Sequence, residues 1–221
     1  DLSCTDHTPG YGSAAKFIAA TAKEIIRDGL VYDIPSVTIM EIMGRNAGWL
    51  TGAAALAKGE DCEGVDLICL PEVPFEPEAF LARVEELLRE KKSVVIAVSE
   101  GITTADGKYV FELAESDSDA NADAVDAFGH KQLSGVGKFL ADLIAEKLEV
   151  KTRAIELNTL QRCAAYMTSR VDVTEAFQVG GAAVKAAFEG ESGKVAVLER
   201  ISEDPYLCIT GCEDVHKIAN K

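Results

Sequence analysis

SVTIMEIMG, Ser36 to Gly44, is the stretch that decides the fold. Its β-branched and apolar run is closed by a glycine and reads as a buried strand rather than a surface one. Working outward, AAKFIAATAKEII (Ala14 to Ile26) has apolar residues at helical spacing, and Ala47 to Ala57 is small and apolar, a tightly packed helix. DLICL (Asp66 to Leu70) is a second short strand, followed by the proline-marked loop PEVPFEP. Pro77 opens a helix to about Glu90, with Lys91 and Lys92 at its carboxyl end, where the macrodipole favours cations. SVVIAVS (Ser93 to Ser99) is the third strand. After an irregular segment, Leu133 to Leu148 is helical, Arg153 to Leu157 is the fourth strand, and 158–188 is helical with a break near Asp172. Val195 to Leu198 is a fifth strand, Asp204-Pro205 a turn, Tyr206 to Ile209 an extended piece, and a short helix ends at Lys221. Strand and helix alternate, which predicts parallel βαβ units: an α/β, Rossmann-like, three-layer fold with a parallel sheet flanked by helices. The strands are apolar throughout, as a sheet covered on both faces requires.

Composition narrows the function. Of 221 residues, 37 are acidic and 22 basic, for a net charge of −15. Phosphate backbones demand a basic face, so a nucleic-acid partner is not expected, and an anionic substrate must be held by a few placed arginines. No apolar run approaches the roughly 20 residues of a membrane span. No signal peptide is legible, and the chain opens on Asp1 rather than Met; a processed or excised piece of a cytoplasmic protein is expected. The acidic stretch ESDSDANADAVDA after Ala114 reads as a solvated surface loop. Cysteines stand at 4, 62, 69, 163, 208 and 212 with no close CxxC pair, and there are three histidines. That spacing offers no zinc motif, and reduced, mostly buried thiols are expected. Trp49 and Tyr11 read as packing aromatics.

In parallel sheets of this class, ligands bind beyond the carboxyl ends of the strands, so the strand-end residues are the candidates. The first strand ends in Met43-Gly44-Arg45. Gly44 allows close backbone approach, and Arg45 offers a planar fork for phosphate or carboxylate, or is a surface arginine on a glycine turn. The third strand ends in Ser99-Glu100-Gly101, where Glu100 can accept hydrogen bonds from sugar hydroxyls or be a solvated loop acid. Arg153 begins the fourth strand, which runs into Asn158-Thr159-Leu160-Gln161-Arg162. Asn158 fits a helix N-cap, and Thr159 and Arg162 share a helical face. Arg162 can bind a second anion or pair with a neighbouring acid. Three arginines and an acid in this pattern suggest a polyol phosphate. The leading loop DLSCTDHTPGYGS, residues 1–13, can wrap phosphates or be a plain loop.

Several of these stretches together resemble the phosphofructokinase family, which phosphorylates fructose 6-phosphate in glycolysis. They are Thr5-Asp6-His7-Thr8-Pro9-Gly10-Tyr11-Gly12-Ser13-Ala14, Glu41-Ile42-Met43-Gly44-Arg45-Asn46-Ala47-Gly48-Trp49 and Pro71-Glu72-Val73-Pro74-Phe75. Ser99-Glu100-Gly101, Phe128-Gly129-His130 and Leu160-Gln161-Arg162 complete the set, so the likeness runs almost end to end. The resemblance implies that Met43, Gly44 and Arg45 contact fructose 6-phosphate, and that Arg45 stabilises the transferring phosphoryl group. It implies that Glu100 binds sugar hydroxyls, that Arg162 holds the 6-phosphate, and that Arg153 reaches the same phosphate across a subunit interface of a homo-oligomer. Thr159 occupies a position where the family often has histidine or tyrosine, which puts that sugar contact in doubt. Ser36 stands where ATP-dependent bacterial members carry a phosphate-binding arginine, and Cys163-Ala164 replaces the usual pair of glycines.

In the family a Thr-Ile-Asp-Asn-Asp segment supplies the catalytic base and a ligand for the metal, Mg2+; Asp1 aligns with its second aspartate. The base and the glycine-rich donor loops would precede Asp1. The resemblance therefore implies the C-terminal portion of a 6-phosphofructokinase, inactive alone, whose donor is pyrophosphate, with ATP as the alternative donor. The alternative is a non-catalytic sugar-phosphate-binding or regulatory module on the same fold. Residues 1–160 would form the sugar-phosphate domain, 161–200 would cross to the donor domain, and 201–221 would return. The crossing segment would leave an apolar face uncovered, which favours self-association.

Overall fold

The computed structural model describes residues 2–115 and 135–218. The chain divides into two compact units: 17–163, and 1–16 together with 164–221.

The first unit holds the sheet. Strands β1 (Ser36–Ile42), β2 (Leu67–Cys69), β3 (Ser93–Ser99) and β4 (Lys151–Glu156) lie in the order β2-β3-β1-β4, and all three pairings are parallel. Ile39 sits opposite Ile96 on one side and Ala154 on the other, so β1 and β3 are the central strands. The alternation along them sends Val37, Ile39, Val94, Ile96 and Val98 to one face. There they pack with Phe80, Val84 and Leu87 of α3 (Pro77–Glu90) and Leu140, Ala141 and Ile144 of α5 (Val136–Leu148). Full burial of each such side chain contributes about 1.5–3 kcal/mol. The opposite face, with Met40, Ile42, Val95 and Ala97, is equally buried. Helix α1 (Tyr11–Leu30) approaches the sheet on that side, where a Cβ on Gly29 would stand 2.2 Å from Ser93 Oγ. The predicted parallel α/β sheet flanked by helices is thus present. Strand β4 is an edge, with Lys151, Arg153 and Glu156 exposed.

Between these elements lie α2 (Trp49–Gly52), continued by a 3-10 turn at Ala53–Ala57, and α4 (Glu112–Glu115). The chain then forms α6 (Leu160–Cys163), a 3-10 turn at Ala165–Met167, and α7 (Arg170–Phe188). The expected helical break near Asp172 thus falls between Cys163 and Arg170. Asn158 has φ 41° and turns the chain in the left-handed region instead of capping α6 from an extended conformation.

The second unit departs from the sequence reading. Strand β5 (Lys194–Glu203) does not extend the parallel sheet; it pairs antiparallel with β6 (Tyr206–Asp214) in a separate two-stranded sheet, closed by α8 (Val215–Ile218). Only two residues, Asp204 and Pro205, link these strands, and a link that short can join only antiparallel neighbours. Residues 201–218 accordingly group with 164–200 instead of returning to the sheet, and the leading residues group with them.

Other expectations also fail. Trp49 is 75% and Tyr11 44% exposed, each standing in the first turn of its helix. Of six free cysteines only Cys62 is buried, and Cys4 and Cys163 are exposed. The acidic run after Glu115, Leu133 and Phe128-Gly129-His130 lie outside the described residues. Among the described residues no helix is long and apolar enough to cross a membrane.

Candidate functional site

The hydrogen-bond ladder runs one step beyond the ends of the central strands. The Glu100 N–H donates to Ile42 O at 3.0 Å, and the Leu157 N–H donates to Glu41 O at 3.0 Å. Three strand tips therefore leave the sheet side by side, and the Met43-Gly44-Arg45 turn emerges between the other two.

That turn is held from three directions. From the β3 tip, Glu100 Oε1 accepts the Gly44 N–H at 3.2 Å. Buried Ser99 donates its hydroxyl to Gly44 O at 2.5 Å and accepts the Gly101 N–H at 3.2 Å. From the turn after β4, buried Gln161 accepts the Met43 N–H through Oε1 at 3.0 Å. From the proline-marked loop, Glu72 Oε1 accepts the Gly48 N–H at 2.6 Å. Two glycines are required by this crowding. A Cβ on Gly44, whose φ is 154°, would meet Ala47 O at 2.7 Å; one on Gly101 would stand 2.0 Å from Arg45 O.

The electrostatics follow from the same contacts. Burial pushes the Glu100 carboxyl up, while the Gly44 N–H and the Arg45 charge pull it back down. Beneath the turn, buried Glu41 is pushed up to about 7 by burial. Its bonds from Gly137 N–H at 2.7 Å and Gly135 N–H at 3.2 Å oppose that rise, and the neighbouring charges of Glu156 and Glu100 add to it. Glu41 thus fastens the start of α5 to β1.

Met43, Gly44, Arg45, Glu100 and the Gln161-Arg162 turn share one end of one unit. Arg45 is half-buried; Thr159 and Arg162 are exposed beside buried Gln161, and the Thr159 hydroxyl bonds Asn158 Oδ1 at 3.3 Å. Arg153 does not join them. It pairs with Thr38 in the amino half of the sheet, four residues or about 13 Å of strand before Leu157. Its Nη1 lies 3.2 Å from Asp28 Oδ2. Ser36 begins β1, likewise at the amino end. Asp1 lies outside the described residues. The positioning roles of Ser99, Gln161, Glu72 and Glu41 escape a linear reading; all four lie in the family-like stretches, and Ser99, Gln161 and Glu41 also flank glycine- or arginine-bearing turns, but nothing local says what each would hold.

The described carboxylates that brace this end, Glu41, Glu72 and Glu100, are each engaged by backbone N–H groups, and among the described residues they form no oxygen cage of the kind Mg2+ takes.

The description of the family Phosphofructokinase matches residues 1–187. The chain belongs to the phosphofructokinase family. Over its whole length it is 36% identical to the pyrophosphate–fructose 6-phosphate 1-phosphotransferase of Halomonas elongata and 39% identical to that of Xanthomonas campestris pv. campestris. It covers 51% of each, so the chain spans about half the length of these phosphofructokinase relatives. The crystal structure of the pyrophosphate-dependent phosphofructokinase from Marinobacter aquaeolei superposes with a TM-score of 0.79 at 31% identity, over all of this chain and 50% of that one.

Proposed function

We propose that this chain carries the sugar-phosphate half of a pyrophosphate-dependent 6-phosphofructokinase, a phosphotransferase acting on the 1-hydroxyl of D-fructose 6-phosphate. The observation that carries the reading is the bracing of the Met43-Gly44-Arg45 turn by Glu100 on one side and Gln161 on the other. That bracing supports a reading in which two arginines donate to phosphate and a carboxylate accepts from sugar hydroxyls at one strand-tip surface, the combination a sugar phosphate requires.

Arg162, exposed beside its anchored neighbour, takes the 6-phosphate. Glu100 turns its second oxygen to the sugar hydroxyls, and Met43 lies against the sugar. Arg45 offsets the negative charge on the phosphoryl group in flight, which makes its contribution electrostatic. In the transfer the 1-hydroxyl oxygen bonds to phosphorus as the bond to the leaving phosphate breaks, and the hydroxyl proton passes to a base outside the described residues. Arg153, away from this surface in its own chain, serves a second copy in a homo-oligomer. The proposal assigns Mg2+, with Asp1 near it, to the pyrophosphate side, and gives the described residues no metal-held step. A cytoplasmic location accords with substrates of glycolysis.

Calorimetric titration of the 221-residue chain with fructose 6-phosphate tests the reading. One saturable site is expected, and Arg162→Ala should weaken it about 10–150-fold, the worth of one charge-assisted bond of roughly 1.5–3 kcal/mol. An affinity within about twofold of the parent, ~0.4 kcal/mol, makes Arg162 a surface arginine and removes the 6-phosphate from this turn.

A further inference from the structure

Helix α7 inverts the usual pattern of a surface helix. Phe177 is 84% and Phe188 94% exposed, while the acids Asp172 and Glu175 are its buried residues. Asp172 is explained: its carboxylate accepts the Ser13 N–H at 2.6 Å and so ties down the start of α1. Glu175 faces a different group. Its Oε2 lies 2.6 Å from His7 Nε2, and its Oε1 accepts the Tyr206 hydroxyl. The Tyr206 oxygen is itself 3.3 Å from His7 Nε2. Cys208 completes the group: one ligating atom from each of His7, Glu175 and Cys208 lies within 4.8 Å of the other two. Among the described residues this buried carboxylate is bonded by His7 and Tyr206, not by a lysine or arginine, and Asp6 adds a further negative charge beside Cys208. Burying an acid with no permanent cation is costly, and a divalent ion would remove that cost.

We propose that His7, Glu175 and Cys208 form a Zn2+ site that clips the leading loop, α7 and β6 of this unit together. An imidazole nitrogen, a carboxylate oxygen and a thiolate are the donors that zinc accepts in tetrahedral geometry, and the sulfur disfavours Mg2+ and Ca2+. Tetrahedral zinc needs donor separations of about 3.3–3.6 Å. The His7–Glu175 pair at 2.6 Å must open by a fraction of an ångström, and Cys208 must close in, which single side-chain rotations supply. The ion takes the place of the hydrogen now shared between His7 Nε2 and Glu175 Oε2, and that proton passes by way of solvent to His7 Nδ1, so the imidazole ligates through Nε2 as its neutral Nδ1–H tautomer. Tyr206 keeps its bond to Oε1 and orients the ligating carboxylate, the outer support such sites use. His7 enters neutral and Glu175 ionised; Cys208 gives up its thiol proton to solvent, so the two ligand charges balance the dication. The fourth position falls to water, reached past the 27% exposed His7 side chain. Nothing in the spacing 7, 175, 208 announces the site, because the three residues meet only through the hairpin and α7.

Titrating the 221-residue chain with Co2+ in excess Mg2+ tests the proposal. One equivalent should develop tetrahedral visible bands and a thiolate charge-transfer band, and added Zn2+ should displace both. Cys208→Ser should abolish the charge-transfer band, while Cys163→Ser, at an exposed cysteine, should leave it intact. His7→Gln should weaken zinc binding by more than about 100-fold, and Tyr206→Phe by about 10–100-fold with the spectrum retained. Zn2+ should raise the Tm of the parent but not of Cys208→Ser. The site is disproved by a charge-transfer band that persists in Cys208→Ser, by one that vanishes in Cys163→Ser, or by the absence of any saturable one-equivalent binding in the folded parent. None of these readouts depends on sugar-phosphate binding.

Discussion

Replacing Gly101 by alanine isolates the packing of the strand tips from the chemistry they carry. The added Cβ would stand 2.0 Å from Arg45 O and 2.6 Å from its carbonyl carbon, both backbone atoms that no rotamer can move. Contacts under 3.0 Å are essentially never tolerated, so the β1 and β3 tips must separate by about 1 Å. Gly101 is not at positive φ, so backbone strain adds nothing and the cost is overpacking, about 1–3 kcal/mol. For a chain of this size that lowers Tm by about 2–12 °C. The same shift pulls Gly44 off Glu100 and moves Arg45; on the proposed function, loss of one charge-assisted contact should weaken fructose 6-phosphate binding about 10–150-fold. Gly52→Ala is the control: its Cβ meets nothing within 4 Å, and its φ of −60° suits alanine, so Tm should hold or rise slightly. Thermal melts and calorimetry on the two variants decide it. If Gly101→Ala matches Gly52→Ala in both Tm and affinity, the tips do not touch as described.

Further outcomes follow from the same geometry. Ser99→Ala removes two hydrogen bonds of a buried hydroxyl and should cost about 1–3 kcal/mol in urea denaturation; a change below ~0.5 kcal/mol would mean that the Gly44–Ser99–Gly101 link contributes nothing. Glu41 is raised from 4.5 to about 7, so the folded chain binds this proton more tightly than the unfolded one. Its contribution therefore favours folding fully below about pH 4.5 and fades as pH rises through about 7, by up to about 3 kcal/mol. The stability difference between parent and Glu41→Gln, measured by denaturation from about pH 5 to 8, should drift accordingly, and a flat difference refutes the shift. Phe177 and Phe188 stand exposed on α7 with Val173 and Val184 at helical spacing, so the 221-residue chain should self-associate in sedimentation and Phe177→Glu/Phe188→Glu should return it toward monomer; unchanged association in the double variant moves the contact elsewhere.

The sequence by itself determined the parallel core. β3 falls at Ser93–Ser99 and α3 starts at Pro77 as the pattern predicts, because apolar periodicity and proline placement are local signals, read within one element at a time. It also marked which turns were candidates for an anion, since an arginine just past a strand end is a local feature that needs no tertiary information to be noticed. Only the tertiary structure decided which of those turns meet. Arg45, Glu100 and the Gln161-Arg162 turn share a surface because β1 lies between β3 and β4, whereas Arg153 enters β4 at its other end. Tertiary structure likewise decided that Val195 to Leu198 belongs to an antiparallel hairpin, and that Trp49 points to solvent. Above all it placed a histidine, an acid and a cysteine from positions 7, 175 and 208 within 4.8 Å of one another. Burial and long-range pairing depend on what packs against an element, and that information lies in other parts of the chain, beyond the reach of any local periodicity.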